Sequence, residues 1–140
     1  MHKHLVSLAI AAGLTLAGSA FAADPAMDKD AYKAAKDKIE SQAKADKKAC
    51  DAMKDNAKDV CQAEAKAKEK IAKAELDAQN KPGPQAEEKV KLMKAEGQYE
   101  VAKEKCEDQK GTAMTSCKSD AKASYEKAKA DIKQTKAAKS

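Results

Sequence analysis

The chain has 140 residues, with 28 basic against 23 acidic side chains and a formal charge of +5; 42% of it is hydrophobic, only 3% aromatic. One domain at most fits this length. Much of the apolar fraction is alanine, which buries little area, so the composition excludes a large conventional core and reads instead as long helix.

At the N-terminus, a short basic region and an apolar run from Leu5 to Ala17 end in Ala20-Phe21-Ala22. That is the pattern of a secretory signal, residues 1–22, with cleavage expected after Ala22. A membrane anchor is the competing reading, but the run is too short to span comfortably. The expected destination is the periplasm, with no integral membrane segment after processing. Both histidines, His2 and His4, leave with the signal. The remainder, 23–140, is expected to be a single helical domain.

Asp24, Pro25 and Asp28 are start signals for a first helical arm over about 28–80, which contains no Gly or Pro. Ile39, Ala43, Cys50, Met53, Val60, Ala67 and Ile71 follow the alternating four-and-three spacing of a coiled-coil seam. Ile39, Cys50, Cys61 and Ala72 instead follow an eleven-residue step, which favours nearly straight helices. Pro82, Gly83 and Pro84 then stop the helix, giving a turn over 81–84. A second arm is expected over about 85–136, weakened at Gly97 and at Gly111, where a local break is credible.

The two arms resemble each other. CDAMKDNAKDVC in the first matches the spacing of CEDQKGTAMTSC in the second, and AKAEL at 72–76 matches AKADI at 128–132. Both comparisons point to an internal duplication.

Four cysteines allow three pairings. Within one continuous helix, Cys50 and Cys61 would lie about 16 Å apart, against the roughly 4.4–6.8 Å between bridged alpha carbons. Cys106 with Cys117 meets the same objection unless Gly111 folds the segment back. Antiparallel arms about Gly83 would bring Cys50 to Cys117 and Cys61 to Cys106. The expectation is therefore an all-α fold, a long antiparallel coiled-coil-like helical hairpin clamped by Cys50–Cys117 and Cys61–Cys106. A link from Cys50 to Cys61 would require the first arm to fold back between them.

This twin-cysteine hairpin resembles, in topology, the helical hairpins of the mitochondrial intermembrane space, whose cysteine spacing is one residue shorter. The Lys/Ala-rich stretches are also similar in composition to the long helical region of TolA-type cell-envelope proteins, and the chain resembles small exported Ala/Lys-rich periplasmic proteins. The Ala-rich exposed stripes and the thin outer arms point to a helical interaction role.

Catalytic chemistry finds little support. Without histidine the processed chain assembles no Ser-His or Cys-His nucleophile, so no enzyme and no cofactor are expected. Nucleic acid is not an expected partner, because acids are interleaved with the lysines, arginine is missing and no base-reading motif occurs. The expected function is a non-enzymatic periplasmic spacer, interaction or chaperone-like protein. Its partners would be another envelope protein, an anionic envelope surface or another copy of itself. The alternative is a soft-metal (copper or zinc) or thiol-redox role for Cys50, Cys61, Cys106 and Cys117, with Met53 and Met114 as neighbouring thioethers. A disordered charged tether is a third reading.

Overall fold

A computed structural model describes residues 27–137; the expected signal segment lies outside them. The fold is all-α, with helices α1 (Lys29–Cys50), α2 (Asp55–Asn80), α3 (Pro84–Cys106) and α4 (Gly111–Ala137). Each expected arm is therefore two helices rather than one.

The helix ends follow from local chemistry. Asp28 caps α1, its carboxylate accepting from the amides of Asp30 (3.0 Å) and Ala31 (2.8 Å). Lys47 and Lys48 occupy the last turn of α1, where a cation meets the negative helix end. The turn expected at 81–84 is present: Gly83 takes φ +156°, open to glycine, and Pro84 opens α3, where its missing amide hydrogen costs nothing.

The break after Cys50 was not expected, and it repeats after Cys106. Asp51 and Glu107 end their helices with the same backbone angles, φ near −66° and ψ near −19° in both. The amides of Met53 and Gln109 donate to the carbonyls of Cys50 (3.0 Å) and Cys106 (3.1 Å). Asp55 and Gly111 then both adopt positive φ, 51° and 60°. Asp is among the few non-glycine residues that tolerate that region, since its short side chain can bond locally. One corner geometry thus occurs twice, at equivalent places in the duplicated sequence.

The corners overturn the expected cysteine pairing. Cys50 is bonded to Cys61 and Cys106 to Cys117, each pair with alpha carbons 5.6 Å apart. Cys50–Cys117 and Cys61–Cys106 do not form. Eleven residues span about 16 Å only in a continuous helix, and the chain reverses between α1 and α2, at 51–54. Each bond instead staples one helix to the next inside a single repeat.

The four helices form an open row. Each packs on its neighbours in sequence, and among the described residues α1 does not meet α4. Ion pairs give the directions. Glu64, Glu75 and Asp77 of α2 meet Lys105, Lys94 and Lys89 of α3, so one helix rises as the other falls. Glu40 and Lys47 of α1 reach Lys73 and Glu69 of α2 in the same antiparallel sense. Both stapled corners therefore lie at one end, and Asn56 Nδ2 bridges them by donating to the carbonyl of Glu104 at 2.8 Å. The 81–84 turn lies at the other end, where the Tyr32 hydroxyl donates to Asp77 at 2.6 Å.

The interior is made of small side chains. Ala43, Ala65, Ala67, Ala74, Ala95, Cys50 and Cys106 are buried, and Leu76 is the one large aliphatic among them. Small residues let helices approach closely, and Gly97 shows how closely: a Cβ placed there would lie 2.8 Å from the Cβ of Ala67.

Candidate functional site

Two features qualify as sites: the stapled corners and the seam between α2 and α3. At the corners, no described cysteine is free. Cys50 and Cys106 are almost wholly buried, 1% exposed each, while Cys61 and Cys117 are half-buried. Helix packing places the first member of each pair; the left-handed residue, Asp55 or Gly111, swings the second member back to it.

The methionines fall in different repeats. Met53 sits in the first corner, 46% exposed, and Met114 lies in the first turn of α4. Thiolates are the ligands in a soft-metal site, and here all four sulfurs are engaged with one another. Among the described residues no cluster of three or more His, Cys, Asp or Glu is placed to hold a metal ion.

Charge organises the two flanks of α2. Facing α1, Glu69 accepts from Lys47 (2.7 Å) and Lys73 (2.8 Å), and these two ammonium groups hold its carboxyl down at about 2. Lys73 also reaches Glu40 at 3.1 Å, and its own pKa is raised by the hydrogen bonds to Glu69 and Glu40. Near the turn, Asp77 is lowered by Lys89 and then by the Tyr32 hydroxyl, while Tyr32 is raised by the same carboxylate.

The second repeat solves the same packing problem differently. Where α1 and α2 use Ala43 and Glu69, α3 and α4 stack Tyr99 on Tyr125, centroids 5.0 Å apart. Lys103 lies over one outer face and Lys129 over the other, 5.2 and 5.1 Å from the ring centres. Nothing in the spacing of two tyrosines on different helices marks them as neighbours in the sequence.

The α2–α3 seam has two mouths. One is an open groove of about 440 Å³, with Ala67 and Gly97 at its floor, Ile71 and Val101 on its walls, and Lys68, Lys94 and Lys105 about it. The opposite mouth is smaller, about 170 Å³, and polar, with Asp59, Glu100 and Glu104 beside Lys66 and Lys70. Among the described residues no polar or charged side chain is buried. Nor is any described helix long and apolar enough to cross a membrane.

No family model, no curated protein and no solved structure matches this chain.

Proposed function

We propose that the chain is an exported, non-enzymatic helical interaction module of the periplasm, serving as a spacer or chaperone-like factor at the cell envelope. The observation that carries this reading is the use of its cysteines. All four are spent on two local staples at one end of an open row of helices, leaving the long α2–α3 seam accessible. A small-residue interior supplies little hydrophobic stabilisation, and crosslinks of this kind stabilise mainly in an oxidising compartment. The N-terminal pattern ending at Ala22 agrees with that location.

Cell fractionation followed by intact-mass measurement tests the reading. The expected species is periplasmic, begins at Ala23, and is about 4 Da lighter than after reduction, since each disulfide removes two hydrogens. A cytosolic chain with four reactive thiols would defeat it. Co-purifying copper or zinc bound by Cys50, Cys61, Cys106 and Cys117 would favour metal handling instead.

A further inference from the structure

The apolar mouth of the seam is longer than its two wall residues. Val60 and Ile71 are eleven residues apart on α2, and so are Val90 and Val101 on α3. That spacing returns a helix to within about 20° of its starting direction, so each pair shares one side of its helix. The Asp77–Lys89 ion pair sets Val90 level with the end of α2. The four side chains therefore mark a stripe roughly 25 Å long. All four remain half-buried. The floor between them is recessed, because Ala67 and Gly97 hold the two helices close.

Charge distinguishes this mouth from the opposite one. Three lysines stand about it against a single acid, Glu64. Lys94 and Lys105 reach Glu75 (2.7 Å) and Glu64 (3.3 Å) through solvent-exposed pairs, which contribute little and exchange readily. Lys68 is exposed and has no partner among the described residues.

A concave apolar stripe of this length fits an amphipathic helix laid in a groove, and a basic rim selects acidic flanks. We propose that this groove docks a partner helix whose apolar ridge is bordered by Asp or Glu. A second copy presenting the same face would set lysine against lysine, which is unfavourable. A flat bilayer cannot follow the recessed floor. The proposal rests on the interaction-module reading and deepens it.

The test uses the oxidised full chain and two fluorescent synthetic helical peptides of about 18 residues. Both carry the same leucine ridge, one flanked by Glu and the other by Lys. Anisotropy titration is expected to show the Glu-flanked peptide binding at least tenfold more tightly, with affinity falling as salt is added. Lys68→Glu should weaken binding at least fivefold, and this exposed, unpartnered residue can change without unfolding the chain. Ile71→Ser with Val101→Ser should weaken it at least tenfold with helical circular dichroism retained. Lys66→Glu, on the opposite mouth, should not weaken it. Equal binding of both peptides, binding of neither, or a groove-dependent dimer in sedimentation would overturn the proposal. Tight binding that ignores all the groove substitutions would also overturn it while leaving the interaction-module reading standing.

Discussion

Replacing Cys50 and Cys61 by alanine tests the local staples directly. Each closes a loop with sequence separation 11. In the chain-entropy treatment, a loop of that size restricts the unfolded chain by about 2.8 kcal/mol, against roughly 4–4.5 kcal/mol for the much longer loops of a crossed pairing. The Cys50→Ala/Cys61→Ala variant should therefore lose about 3 kcal/mol, plus a smaller cavity cost at buried Cys50. For a urea slope of about 1–3 kcal/mol/M the midpoint should fall by roughly 1–3 M. Thiol content supplies a second reading from the same sample. Local pairing leaves Cys106–Cys117 intact and the variant without a free thiol, whereas crossed pairing would strand both remaining cysteines. Urea denaturation followed by circular dichroism, with thiol titration in denaturant before reduction, gives both numbers. Two titratable thiols, or an unchanged midpoint, would refute the reasoning. Reduced wild-type chain keeps its sulfur atoms and separates the crosslink from the cavity.

Gly97→Ala should destabilise despite a helix-propensity gain of about 1 kcal/mol. The new methyl would lie 2.8 Å from the Ala67 Cβ, an overpacking that typically costs about 1–3 kcal/mol; thermal melts should show a lower midpoint, restored in part by adding Ala67→Gly. At the paired corners, adding a glycine and removing one should act oppositely: Asp55→Gly should raise stability by about 0.5–1 kcal/mol and Gly111→Ala should lower it by about 1–2 kcal/mol, both read from denaturation midpoints. Glu69 has its folded pKa lowered from 4.5 to about 2 by Lys47 and Lys73. Its contribution is therefore complete above the unfolded value and is lost as pH falls from about 4.5 toward 2. Glu69→Gln should flatten that part of the stability–pH curve and leave the protein less stable near neutrality.

The helical class, a turn directly after Asn80 and the two-fold repetition were all legible in the residues. The corners were only half so. Gly111 advertised a weak point, but its counterpart Asp55 carries no such mark, since an aspartate inside a lysine- and alanine-rich stretch reads as ordinary helix surface. Position by position, the duplication sets Gly111 against Asp55, and that equivalence carries the second break and the pairing of Cys50 to Cys61. The mirror relation about Gly83 misled for a physical reason. Two cysteine pairs of equal spacing always satisfy such a relation, and a tandem repeat puts its centre near the junction between copies. The Tyr99–Tyr125 stack and the recessed floor at Ala67 and Gly97 were illegible for another reason. Both depend on the register between helices, which many weak alanine contacts fix together and no single residue announces.

Because each sulfur finds its mate a short way along the chain, the order of bond formation is written into the order of emergence. A chain meeting an oxidant from its N-terminus presents Cys50 and Cys61 together ahead of Cys106, so the native mate is the first one on offer. The second unit then repeats the event unaided. An extra copy of the unit would bring its own pair and leave the earlier ones undisturbed, which makes this an architecture that can lengthen without needing an isomerase to sort its connections.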